Sequence, residues 1–229
     1  MPDELVPTLM TAERVDDVLL TALALALAPR RHRLGTVVTW ERHGRHEFAG
    51  VDLSRTVGWF TSLVPVRLDL ADTDPTGALE TVSRRLRSLG DGLGFGILRH
   101  TAADLAGLPA PRVAFNYLGR VRTGTGPWTV APEPTRLPGG DPGQPLPHVL
   151  TVDALTADTP DGPTLTVHFG RPAALLSDRE VVEVADAWLR ALTDLVRRAD
   201  VPHRSADTVP WVDADEFADL FDTDEELSW

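Results

Sequence analysis

Cysteine is absent from this 229-residue chain, which excludes disulfides, thiol nucleophiles and cysteine-ligated metals and suits a reducing cytoplasm. Lysine is absent as well, so all 22 basic residues are arginines and no Schiff base on a lysine amine is open to the protein. Against them stand 34 acidic residues, and the formal net charge of -12 argues against nucleic acid as a partner. Long apolar runs are also lacking. The longest, Val18 to Ala28, falls short of a membrane span and follows acidic residues instead of a basic leader, so it reads as a buried helix. There is no GxSxG elbow, no Walker loop, no HExxH and no internal repeat. A hydrophobic content of 42% is enough for an ordinary globular core.

What is there centres on Thr36 to Leu70, where an alternating strand ends in a cluster of ionisable residues and leads into a second strand. Side chains two apart in a strand share a face, so Glu41 and His43 are expected on one side, about 7 Å apart at the backbone, with Val38 and Trp40 on the other. A carboxylate at the end of an apolar strand is a candidate for a raised pKa and for general acid/base chemistry. The residues alone favour a plainer reading, an ion pair with Arg42, Arg45 or Arg55. Glu41, His43, His46 and Glu47 have the wrong spacing for two metal ligands on one strand face, so no metal is expected.

Around this centre, Thr11 is placed to cap a helix that runs to Ala28 and ends at Pro29. The patch Arg30-Arg31-His32-Arg33 reads as a solvated turn, with phosphate binding as the sharper alternative. Asp74-Pro75 opens a second helix, whose stripe Leu79, Val82, Leu86 and Leu89 is closed by Gly90. Arg84, Arg85 and Arg87 lie off that stripe, on a solvated face. Gly92, Gly94 and Gly96 read as turn glycines, and Arg112 to Leu118 as a strand carrying Asn116 and the sole tyrosine, Tyr117. Gly119 to Pro147, rich in Gly, Pro and Thr, is a long connection. His148–Leu155 and Thr164–Phe169 flank Asp161-Gly162 as an antiparallel pair, and Ser177 to Glu180 forms a capping box opening an amphipathic helix. An acidic tail with no basic residue runs from Ala206 to Trp229.

Four stretches carry a resemblance. Glu41-Arg42-His43-Gly44-Arg45 followed by Arg55-Thr56-Val57-Gly58-Trp59-Phe60-Thr61-Ser62 and Pro65 is similar to the paired EGHGRE and RTVGWFTxxYP motifs of epimerization domains in nonribosomal peptide synthetases. Gly92 to Arg99 resembles that family's GxGYGxLR stretch, and Phe115 to Gly119 its FNYLG strand, in the family's order. Three positions depart from the pattern: Arg42 stands where the family has glycine, His46 where it has glutamate, and Phe95 where it has tyrosine.

The resemblance implies an α/β fold, an α+β sandwich in which helices flank a mixed sheet, as in one chloramphenicol-acetyltransferase-like lobe. Residues 1–205 would form the C-terminal lobe of such a domain and 206–229 an acidic linker or tail. The implied activity is L-to-D inversion at the α-carbon of an aminoacyl or peptidyl thioester held by a peptidyl carrier protein. Glu41 would carry the proton, with His43, Asn116 and Tyr117 as further catalytic candidates and Arg55, Thr56, Trp59, Thr61 and Ser62 lining the substrate path. No cofactor is implied beyond the phosphopantetheine arm that the carrier supplies. The family's HHxxxDG motif lies on the other lobe and does not occur in this sequence; His100 to Leu105 lacks its first histidine and its glycine. The implied partners are therefore a carrier protein and an N-terminal lobe, a neighbouring synthetase domain or a second copy of the chain. The alternative is a lobe without catalysis that binds a carrier or a neighbouring domain.

Overall fold

A computed structural model describes residues 5–12, 14–30, 37–45, 51–53, 55–70, 74–90, 92–102, 105, 108–122 and 146–198. The expected acidic tail, most of the long connection, and His32, His46 and Glu47 lie outside the described residues. A short helix α1 (Val6–Leu9) precedes α2 (Val15–Leu27), then come strands β1 (Val37–Arg42) and β2 (Ser62–Arg67). Helices α3 (Pro75–Ser88) and α4 (Leu93–Thr101) lead to β3 (Val113–Arg122), β4 (Leu150–Thr159), β5 (Gly162–Gly170) and α5 (Asp178–Arg198).

The strands form one five-stranded sheet in the order β2-β1-β3-β4-β5. β1, β3 and β4 run parallel to one another, and β2 and β5 pair antiparallel at the two edges, which makes the sheet mixed. The expected antiparallel pair is β4–β5, with Thr159 facing Gly162 across the turn. The central strand β3, on the other side of β4, is longer than the alternation suggests and contains a bulge: one residue of β4 lies between Ala154 and Thr156, where β3 has two between Tyr117 and Arg120. Gly119 supplies the positive φ of 93° that this bulge uses.

One sheet face carries the main core cluster. Val38, Trp40, Val66, Val113, Phe115, Leu150, Val152 and Ala154 join the helices α2, α3 and α5 in a single buried cluster. α2 is buried on all sides because it lies among sheet and helices at once, as its all-round apolar sequence requires. Trp188 of α5 donates its indole N–H to the carbonyl of Leu19 at 3.2 Å and meets the Phe169 ring edge-on. Ser177 and Glu180 form the reciprocal capping box, with the Glu180 carboxylate accepting from the Ser177 N–H at 2.9 Å.

Two local expectations are corrected. α2 starts at Val15 after an extended Arg14, and the Thr11 hydroxyl instead donates to the Thr8 carbonyl at 2.7 Å, closing α1. Asp16 and Asp17 supply the negative charge at the α2 N-terminus in place of a cap. Gly94 and Gly96 are also not in a turn; they lie inside α4, and only Gly92, at φ 81°, makes a close approach. A Cβ there would sit 2.2 Å from Val64 Cγ2.

The Asp16 carboxyl keeps some solvent contact, yet burial and the Asp17 charge push it up to about 6, against the pull of Arg14 and Arg42. A carboxyl whose folded value is raised favours the fold below its unfolded value of 3.8 and loses that advantage as pH climbs to about 6. Asp16→Asn therefore leaves stability unchanged below that window. Above it the variant gains on the order of 1–2 kcal/mol, after allowance for solvent screening and the lost helix-dipole contact. Urea titrations at the two ends of the window check this.

Candidate active site on the open face of the sheet

Because strand neighbours in register point the same way, the pairing defines which residues share the open face. Glu41 on β1 pairs with Leu63 on β2 and Asn116 on β3; Asn116 pairs with Asp153 on β4, and Asp153 with His168 on β5. The next row on the same face holds Thr39, Ala114 and Thr151. Leu63, Ala114 and Leu155 on this face stay outside the core cluster. The result is a polar row, Glu41–Asn116–Asp153–His168, laid straight across the sheet.

Its electrostatics follow from half-burial. Burial, reinforced by the Asp153 charge, holds the Glu41 carboxyl above the usual carboxylate range, while His148 pulls the other way. Burial likewise raises Asp153, opposed by His168 and by a hydrogen bond with Thr151. His148 is fixed at the foot of β4 by its Nδ1, which lies 2.8 Å from the Pro111 carbonyl. The ion pair expected for Glu41 does not form among the described residues. Arg42 donates to the Gly90 carbonyl and stacks 4.6 Å over Trp40, while Arg45 turns away toward the next loop.

The other candidate residues are divided. Asn116 shares the row with Glu41, but Tyr117 is on the covered face, 3.0 Å from the Thr156 hydroxyl, with its phenol pushed up to about 12 chiefly by burial. His43 lies just past the end of β1, exposed, with Nδ1 accepting the Arg45 backbone N–H at 3.0 Å; when neutral it carries its proton on Nε2. Arg55, Thr56, Trp59 and Thr61 sit on the exposed loop between β1 and β2, and Ser62 begins β2 on the covered face, opposite Arg42. That loop is held by Arg45, whose guanidinium donates to the carbonyls of Leu53, Thr56 and Gly58 and lies 4.8 Å over the Phe60 ring. Val57 and Trp59 project from it, 98% and 83% exposed. Arg30, from the basic patch, is paired to Glu183 at 3.2 Å.

Asp153, His148 and His168 escape a reading of the sequence. Asp153 does fall on the polar alternation of β4, but nothing in one sequence gives the parallel β1–β3–β4 register that brings it into line with Glu41.

A mixed sheet with helices on one face and a polar, ionisable row on the other defines an α/β lobe of the chloramphenicol-acetyltransferase kind. The chain belongs to the condensation-domain family, whose profile matches residues 10–217. It is 33% identical over 82% of its length to one of the linear gramicidin synthase proteins of Brevibacillus parabrevis. It is 41% identical over 63% of its length to the chondramide synthase of Chondromyces crocatus, and it spans only 4% of either relative. Among solved structures, the epimerization domain from the third module of tyrocidine synthetase B superposes with a TM-score of 0.70 at 27% identity, covering 86% of this chain and 46% of that one. The X-domain solved with OxyB from teicoplanin biosynthesis shares the fold at a TM-score of 0.55 and 20% identity. No helix among the described residues is long and apolar enough to cross a membrane.

Proposed function

We propose that the chain is one lobe of an epimerization domain, contributing Glu41 as the proton-exchanging group for the α-carbon of a carrier-bound aminoacyl or peptidyl thioester. The observation that carries this reading is Glu41 itself: it sits in the Glu-Arg-His-Gly-Arg stretch, half-buried on the open sheet face, raised in pKa, and paired to no arginine among the described residues. α-Proton removal from a thioester needs a carboxyl poised between its two protonation states, and a salt-bridged carboxylate is not so poised. Similarity to a solved epimerization domain supports the same choice over amide-bond formation. The acid on the opposite side of the substrate would come from a second lobe carrying HHxxxDG, and the thioester would arrive on the phosphopantetheine arm of a peptidyl carrier protein.

A second reading, a carrier-binding module without catalysis, is favoured by Arg42. Where the family has glycine beside the glutamate, this chain has a side chain that crosses to Gly90 and covers Trp40. Both readings place a pantetheine-bearing partner at the open face. Holo carrier protein is therefore expected to bind more tightly than apo carrier in calorimetry. Equal binding of the two forms, or none, removes the module reading. An exchange assay with an added N-terminal lobe separates the enzyme from the module.

A further inference from the structure

Asp153 stands out on the open face because strand interiors disfavour aspartate, and this one has no ion pair among the described residues to justify its place. The arginine–aspartate pair of the same strands, Arg120 with Asp158 at 2.7 Å, faces the other way, on the side of Thr156. We propose that Asp153, steadied by His168 on β5, is a positioning residue that acts on the Glu41 carboxyl along the polar row and sets the pH at which Glu41 passes from proton donor to proton acceptor. This deepens the epimerase reading and rests on it for the meaning of that pH.

Geometry carries the proposal. Glu41, Asn116 and Asp153 occupy adjacent strands in register, so the two carboxyls stand two strand spacings apart, roughly 10 Å at the backbone, and point to the same side. Both residues are half-buried, where a unit charge is felt more strongly than in bulk solvent. Asn116 lies between them, and its amide can donate to a carboxylate on one side while its carbonyl accepts from a carboxylic acid on the other.

Every described group that faces Glu41 is accounted for. Leu63 of β2 and Thr39 of β1 carry no charge, Asn116 of β3 is neutral, and Asp153 of β4 opposes ionisation, whereas His148 before β4 favours it. His168 of β5 and the Thr151 hydroxyl act in turn on Asp153, keeping it the more readily ionised. A negative Asp153 thus makes Glu41 hold its proton to higher pH, and His168 decides how firmly Asp153 stays negative.

The test is a side-chain carboxyl NMR titration of the full chain, with the Glu41 signal assigned by its loss in Glu41→Gln. Asp153→Asn, which keeps the shape and removes the charge, is expected to move the Glu41 midpoint to lower pH. His148→Gln is expected to move it up, and His168→Gln to raise the midpoint of Asp153. With an added N-terminal lobe and carrier thioester, the pH profile of α-deuterium loss should shift toward acid in Asp153→Asn while its limiting rate stays within a few-fold; a merely structural role would lower the rate at every pH. If Asp153→Asn fails to fold, Asp153→Ser gives the same charge change in a smaller side chain, and His168→Gln tests the coupling with Asp153 in place. An unmoved Glu41 midpoint in a folded Asp153 variant overturns the inference, whatever the exchange assay gives. A shifted midpoint together with full exchange in Glu41→Gln leaves the coupling standing and overturns the epimerase reading instead.

Discussion

Glu41→Gln is expected to lower the loss of α-deuterium from an aminoacyl-carrier thioester by about 10²–10⁴-fold, the range for a general acid/base residue, measured with a second lobe bearing HHxxxDG present. The substitution keeps the size of the side chain and removes its capacity to exchange a proton. It corresponds to roughly 3–5 kcal/mol of transition-state stabilisation. Folding is expected to survive, for a reason of sign. The Glu41 carboxyl is raised in the folded protein, so its ionised form weakens the fold once pH exceeds that value, and a neutral amide carries no such penalty. The isolated wild-type chain is expected to show weak exchange or none, and the second lobe to restore it. If the wild type epimerizes well and Glu41→Gln matches it, the proton is carried elsewhere, with His43 the nearest exposed alternative.

Gly44→Ala is expected to release the loop between β1 and β2. A Cβ at Gly44 would lie 1.5 Å from the Phe60 carbonyl oxygen and 2.6 Å from its carbon, and φ is +64°. Neither atom belongs to a flexible side chain, so the loop backbone must move, at a cost of about 2–4 kcal/mol. Gly90→Ala is the control: φ is +60° there too, but a Cβ would meet nothing within 4 Å. It should cost only about 1 kcal/mol, the backbone contribution alone. Thermal unfolding compares the two, and the rate of tryptic cleavage after the exposed Arg55 reports the loop directly. Equal behaviour of the two variants would show that the contact with Phe60 does not hold the loop.

Local periodicity made much of this fold legible. The Asp74 cap with Pro75, the capping box at Ser177 and the turn at Asp161-Gly162 each encode their geometry within a few residues, and each stands where the sequence puts it. What stayed hidden depends on partners distant in the chain. The register that lines up Glu41, Asn116 and Asp153 joins three strands by parallel pairing, and no hairpin announces it; only the last step, from Asp153 to His168, follows from the β4–β5 turn. The resemblance of Phe115 to Gly119 to a family strand made Tyr117 and Asn116 joint candidates, yet adjacent strand residues face opposite ways, and Tyr117 belongs to the helix side with Thr156. Glu41 itself was marked by its motif, whereas its freedom from Arg42 and Arg45 was not. Gly90 and the loop carbonyls take those guanidinium groups, and neither partner is adjacent in sequence.

The Arg45 clamp has a consequence for how the protein answers to acidity. A guanidinium stays charged throughout the range in which proteins remain folded, and its partners in the loop are carbonyl oxygens, which do not titrate either. The guanidinium contacts that hold Val57 and Trp59 in place therefore answer to no proton, while burial holds the Glu41 and Asp153 carboxyls of the sheet face above the usual carboxylate range. Scaffold and chemistry are thus written in different chemical alphabets: the Arg45 side chain clamps the loop through groups that do not titrate, and the sheet face carries groups that do.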